Sequence, residues 1–349
     1  MNLVTGATGH IGNVLVRELL AGGQRVRALV RPGKMPPALA GLDVEIIPGD
    51  VLDKNSLERA MQGVNLVYHL AARISLADGP DPETERVNLA GTHNVIAAMR
   101  QSGAGRLVYA SSVYALRAPA NGAPIDESQP FDALRCRGAY DCSKARASLA
   151  VQSAVADGLD AVILCPTAVT GPYDFHNSEA GRAIRLYMQP GLKFTVKGAY
   201  DFVDVRDAAL GFILAAGRGR RGETYILGGE RLTIREMAQL VWQATPGWHA
   251  NLEVPLWLAY WVAGLMPFYA ELTGNQPIFT RYSLAAVGSN SHISHARASR
   301  ELGFQPRPAR QAVLDAVRWF QQEPDAADFP IPTTLPKAAV CRPLRFRGV

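Results

Sequence analysis

The run Thr5-Gly6-Ala7-Thr8-Gly9-His10-Ile11-Gly12 constrains the fold of this chain more than any other feature. It follows the short apolar stretch Leu3-Val4 and opens into Asn13–Ala21, whose apolar residues suit a helix that Gly22-Gly23 closes. Glycines at a strand–helix junction permit a tight turn and let the backbone approach an anion. The helix N-terminus beyond them offers unpaired N–H groups and a positive dipole end. This context marks a dinucleotide loop, so Gly6, Gly9, His10, Ile11 and Gly12 are assigned to the cofactor pyrophosphate, His10 through its backbone alone.

The rest of the first half repeats the same unit. Strand patterns at Arg25–Val30, Val44–Ile47, Leu66–Ala71, Leu107–Ala110 and Ala161–Cys165 alternate with helical stretches at Ser56–Met61, Glu83–Gln101 and Tyr140–Ala156. Short apolar strands alternating with helices predict an α/β fold, a doubly wound parallel Rossmann sheet covered on both faces. After Pro166 the pattern loosens into a Gly/Pro/Asn-rich loop at 170–177, a helix at Val205–Ala216, a strand at Thr224–Leu227, a capping box at Thr233-Ile234-Arg235-Glu236 and a last helix at Ala309–Gln321. The expected organisation is a cofactor domain over 1–169 and a smaller C-terminal substrate lobe mainly over 170–322, with some elements returning to the first sheet. A Pro-rich basic tail over 323–349 is expected to be mobile.

Composition limits the partners. The formal charge is +5, with no block of like charges and no basic-aromatic repeat, which suits an anionic cofactor and argues against nucleic acid. Cys136, Cys142, Cys165 and Cys341 form no CxxC pair, and His292 and His295 have no acid or thiol cluster beside them. The expectation is reduced thiols and no metal. The chain begins directly on the first strand, so the expected location is the cytoplasm.

The second strand ends in Arg31, and the first acid after it is Asp43. NAD-binding sheets place an acid here, about 20 residues past the loop, to hold the ribose 2′-hydroxyl. A fixed cation favours the 2′-phosphate, so NADP(H) is preferred over NAD(H). Asp50, followed by Val51, is positioned to meet the adenine amine, and the strand end Leu70-Ala71-Ala72 has side chains small enough for the cofactor to lie against.

Tyr140 and Lys144 stand four residues apart on one helix face. A phenol titrates near ~10, and a neighbouring ammonium with an oxidised nicotinamide would favour phenolate and lower that value. Tyr140 would then exchange a proton with a carbonyl or hydroxyl oxygen while hydride moves at carbon. Ser112, at the end of the fifth strand, would orient the same oxygen. With Asn88-Leu89-Ala90-Gly91-Thr92, Ser111-Ser112 and Phe202-Val203-Asp204-Val205-Arg206-Asp207, these motifs resemble the extended short-chain dehydrogenases/reductases over nearly the whole chain to about residue 322. The resemblance implies Tyr140 as acid/base, Lys144 on the nicotinamide ribose, Ser112 on the substrate, Pro166 to Val169 flanking the nicotinamide, a structural Asn88 and a homodimer.

Two departures separate this chain from the sugar-nucleotide members it resembles. Ala168 stands where those enzymes often carry a diphosphate-binding asparagine, and Tyr200 where they often carry an arginine. Each lost charge-assisted bond is worth about 1.5–3 kcal/mol, although Arg182, Arg185 or Lys193 are placed to compensate. Val254–Ala270 carries Trp257, Leu258, Tyr260, Trp261, Leu265 and Phe268 without a charge, interrupted by Pro255, Gly264 and Pro267. It is too short and broken to span a bilayer. A buried or pocket-lining helix is the first reading and a helix lying in a membrane surface the second. The expected function is an NADP(H)-dependent interconversion of carbonyl and hydroxyl on a lipophilic small molecule, resembling dihydroflavonol reductases and 3β-hydroxysteroid dehydrogenases. The alternatives are a nucleoside-diphosphate-sugar epimerase or dehydratase with bound NAD, and a non-catalytic NADP(H) sensor.

Overall fold

The computed structural model describes residues 1–76, 78–120, 122–273 and 280–322, with side chains described outside 265–273. The basic tail read from the sequence, and Cys341 within it, lie outside the described residues.

Six of the seven strands of the main sheet come from the first half of the chain. The elements there run β1 (Asn2–Thr5), α1 (His10–Ala21), β2 (Val26–Val30), β3 (Glu45–Pro48), α2 (Lys54–Met61), β4 (Leu66–His69), α3 (Pro82–Glu85), α4 (Gly91–Ser102), β5 (Arg106–Ala110), α5 (Ala139–Ala156) and β6 (Ala161–Pro166). Then follow β7 (Ala168–Thr170), α6 (Glu179–Met188), β8 (Gly191–Val196), β9 (Ala199–Asp204), α7 (Val205–Arg218), β10 (Thr224–Leu227), β11 (Glu230–Thr233), α8 (Ile234–Gln243), β12 (His249–Val254), α9 (Leu256–Thr273), α10 (Arg281–Val287), α11 (Ala296–Leu302) and α12 (Ala309–Gln321). The main sheet is parallel throughout, in the order β10-β6-β5-β4-β1-β2-β3. The strand order reverses between β1 and β4, which opens a crevice beyond their carboxyl ends.

Alternation along each strand divides the core into two layers. Leu3, Val67, Leu107 and Ile163 face α2, α4 and α5, while Val4, Tyr68, Val108 and Leu164 face α1 and α7. A third apolar cluster joins α6, α8, α10 and α12, with Ile184, Met237, Leu284 and Val313 at its centre. Asp204 ties these parts together: it caps α7 through the Arg206 amide, and the Arg206 guanidinium bridges Asp204 to Asp315 of α12.

The structure departs from the sequence reading in three places. The single helix expected over Glu83–Gln101 is α3, a π-helical turn at Arg86–Ala90, and α4. The wider turn turns Asn88 inward, where it is buried and bonds across to α5. Five short strands after Pro166 had no readable pattern. They form two small sheets, β11-β9-β7 and β12-β8, in which apolar residues such as Leu192 and Phe194 point outward and spoil the usual alternation. Finally, Cys136 and Cys142 are joined in a disulfide, against the expectation of reduced thiols. The loop before α5 folds back so that the Cα atoms stand 5.3 Å apart, a proximity that sequence spacing does not reveal.

Candidate active site

The glycine loop is shaped by what its glycines exclude. Gly6 adopts φ +72°, and a Cβ there would stand 2.5 Å from the Ala71 nitrogen; one on Gly12 would stand 2.0 Å from the Gly6 oxygen. No side chain caps α1, so its first-turn N–H groups are left for an anion. His10 contributes more than backbone, because its Nε2 lies 2.9 Å from the Pro172 oxygen and ties the loop to the segment after β7.

Beneath the loop lies a buried relay that sequence reading missed. Thr92 Oγ1 donates to the Asn88 carbonyl and therefore accepts from His69 Nε2–H. His69 Nδ1 then accepts from Thr5 Oγ1, which accepts in turn from the Ala71 amide. Burial, with the Lys144 charge adding to it, holds the His69 ring down to about 3, so it is neutral and both nitrogens serve the relay. The Asn88 side chain carries the connection on, donating to Ser143 Oγ of α5 and to the Arg73 carbonyl.

A cavity of about 830 Å³ collects most of the predicted site. Gly6, Gly9, His10, Ile11, Gly12, Leu70 and Ala72 line one end, and Ser112, Tyr140, Lys144, Pro166 and Val169 the middle. Four predicted cofactor residues do not line it. Ala71 lies behind Gly6, and Val51 is buried against Gly91. Asp50 spends one carboxylate oxygen on the Leu52 amide. Arg31 is exposed just beyond β2, beside the Val30–Gly49 backbone bond, and makes no hydrogen bond or ion pair with another described residue.

Lys144 is 3% exposed; its Nζ donates to the Ala110 carbonyl at 2.6 Å and sits over the Tyr109 ring. Burial lowers it to about 8. The Tyr140 phenol moves opposite to the sequence expectation: burial pushes it up to about 12, opposed by a hydrogen bond with Ser112. The ammonium does not offset the loss of water around the phenol.

The far wall is apolar and comes from elements with no common motif. Leu186 and Tyr187 of α6, Ile234 and Met237 of α8, and Leu284 and Val287 of α10 line it. Tyr282 is also on this wall; its hydroxyl donates to Asp141 Oδ1 at 2.5 Å, while Arg137 holds the other carboxylate oxygen at 2.9 Å and lies over the Tyr114 ring. This buried cluster fixes the first turn of α5, next to Tyr140. Ala168 and Tyr200 line the cavity as well, the Tyr200 hydroxyl bonding the Ser283 carbonyl. Arg182 and Arg185 reach it; Lys193 does not. Among the described side chains of α9, which end at Gly264, none lines it; Trp257 and Trp261 are exposed while Ala263 is buried, so over 256–264 the helix is neither wholly buried nor pocket-lining. Among the described residues no cluster of His, Cys, Asp and Glu is placed to hold a metal.

The model of the NAD-dependent epimerase/dehydratase family matches residues 2–228. The chain belongs to this family. It is 36% identical to sterol demethylase protein B of Methylococcus capsulatus, covering 92% of this chain and 98% of that protein. It is 33% identical to a putative dihydroflavonol 4-reductase of Synechocystis sp., covering 91% and 94%. The crystal structure of gox2253 superposes with a TM-score of 0.79 at 35% identity, covering 92% of this chain and 98% of that one. This member of the family is an NAD(P)-dependent oxidoreductase of the short-chain dehydrogenase/reductase type.

Proposed function

We propose that this chain is an NADP(H)-dependent reductase of a carbonyl group on an apolar small molecule. The carrying observation is that Ser112, Tyr140 and Lys144 share one cavity with the glycine loop at one end and an apolar wall at the other. We assign residues 1–169 to the cofactor and 170–322 mainly to the substrate.

The residues present fit a dinucleotide: two glycines whose Cβ atoms would fill the turn, and an uncapped helix N-terminus facing it. When bound, the nicotinamide supplies the hydride. Tyr140 supplies the proton to the carbonyl oxygen, and a phenol held up at about 12 stays protonated at neutral pH, the form reduction requires. Ser112 orients that oxygen, and Lys144, fixed by the Ala110 carbonyl, takes the ribose side. The unpaired Arg31 supports a 2′-phosphate. The sterol and dihydroflavonol named for the two relatives support a ring-bearing lipophilic substrate.

The test is a screen of sterol ketones, dihydroflavonols and aryl ketones for NADPH oxidation, repeated with Tyr140→Phe. Turnover should fall about 10²–10⁴-fold while NADPH still binds; an active phenylalanine variant removes the mechanism. One observation favours a second reading: Arg182 and Arg185 reach the cavity from α6, where they could meet a diphosphate. That reading requires tightly retained NAD and epimerisation of a UDP-sugar without net cofactor consumption.

A further inference from the structure

Helix α9 is apolar on every described side. Leu256, Ala259 and Ala263 pack inward on the third cluster at spacing i, i+3, i+7. The outward face carries Trp257, 66% exposed, Trp261, 75% exposed, and the exposed Leu258, Tyr260 and Val262. Directly before it, β8 and β12 expose a second apolar group: Phe194 pairs in register with Leu252, Leu192 lies two residues along, and all three are about half exposed. Val254 and Leu256, on either side of Pro255, both pack on the third cluster, so the two exposed groups rest on the same core. An apolar surface of this extent on two adjacent elements marks a docking site.

The chemistry of the patch selects its occupant. Among its described residues the only polar side-chain atoms are the indole N–H groups and one phenol, from residues that settle where hydrocarbon meets water. Cations stand at its edges: Lys193 within β8, Lys197 beyond it, and Arg281, whose guanidinium lies beside Gly264. Among the described residues the acids near it are Glu253, and Asp78, whose carboxylate accepts the Arg281 and Tyr282 amides. An apolar face rimmed by cations complements an anionic bilayer surface. Among the described residues no helix is long and apolar enough to cross a membrane, so the contact is with one leaflet.

We infer that this face seats the protein on an anionic lipid bilayer, α9 lying in the interface with Trp257 and Trp261 inserted. Helix α9 packs on α10, which lines the cavity, so docking places the apolar wall of the site close to the lipid. Only this last consequence rests on the lipophilic-substrate reading; docking itself requires neither substrate nor turnover.

The experiment is flotation of the full-length protein with phosphatidylcholine vesicles containing about 30% phosphatidylserine, alongside the double variant Trp257→Ser/Trp261→Ser. The native protein should float with the vesicles and its tryptophan emission should shift to the blue. The variant should lose at least about tenfold in bound fraction, with circular dichroism and NADPH binding unchanged. Native protein that stays in the soluble fraction, or a variant that floats equally well, overturns the inference. So does a lipid-independent dimer that the double substitution dissolves, which would give the face to a second copy. Failure of flotation beside intact reductase activity would leave the proposed function standing; floating protein with no reductase activity would do the reverse.

Discussion

At one end of the cavity a Cβ on Gly12 would stand 2.0 Å from a backbone oxygen; at the other, Leu186, Ile234, Met237 and Val287 are ordinary apolar side chains from three helices. The glycine-loop end, which we assign to the cofactor, is fixed by main-chain approach. The apolar end, which we assign to the substrate, is fixed by the sizes of side chains, each exchangeable for another of similar volume at a cost usually below about 1.5 kcal/mol. One fold can therefore keep its cofactor chemistry while the opposite wall changes substrate.

The largest break in that contrast comes from Gly12→Ala. The added methyl meets backbone that cannot give way, so cofactor affinity should fall at least about 100-fold and stability by about 1–3 kcal/mol. Leu186→Met should change neither by more than a few-fold. Cofactor titration with thermal melts checks both, and a tolerant Gly12→Ala removes the distinction.

Next is pH. Lys144 titrates at about 8 in the fold against 10.5 unperturbed. Between those values the unfolded chain binds the proton that the folded chain has released, so this group's contribution to stability rises with pH. Reductase activity that needs the ammonium should fall through the same window. Opposite slopes of melting temperature and kcat/KM above pH 8 are expected, and activity that stays flat to pH 10 removes the role of Lys144.

Arg31→Ala should lower the preference for NADPH over NADH by about 10- to 100-fold, the worth of charge-assisted bonds to one phosphate. An unchanged ratio of the two kcat/KM values would place the discrimination elsewhere. A smaller effect on turnover belongs to Tyr282→Phe. Losing its bond to buried Asp141 should cost about 1–3 kcal/mol of stability. The fall in kcat should be several-fold with little change in cofactor affinity; a pure loss of stability would make the cluster merely structural.

Much of the glycine-loop end of the cavity was legible because its determinants are local. A glycine loop, a Tyr–Lys pair at helical spacing and a serine at a strand end keep their meaning within a few residues of sequence. His69 escaped notice because its value lies in partners 64 and 23 residues away, Thr5 and Thr92. The far wall escaped for the same reason. The small strands β8 and β12 were unreadable because their exposed apolar residues serve a surface and not a core.

The sequence by itself determined the parallel α/β class, the glycine loop and the residue types available for proton transfer, since periodicity and turn chemistry are properties of short segments. Only the tertiary structure decided that burial raises the Tyr140 phenol, that Cys136 meets Cys142, and that α9 turns Trp257 and Trp261 outward. Burial and proximity between distant segments exist only once the chain has packed. These quantities set the ionisation, the cross-link and the free surface, so no local pattern could have carried them.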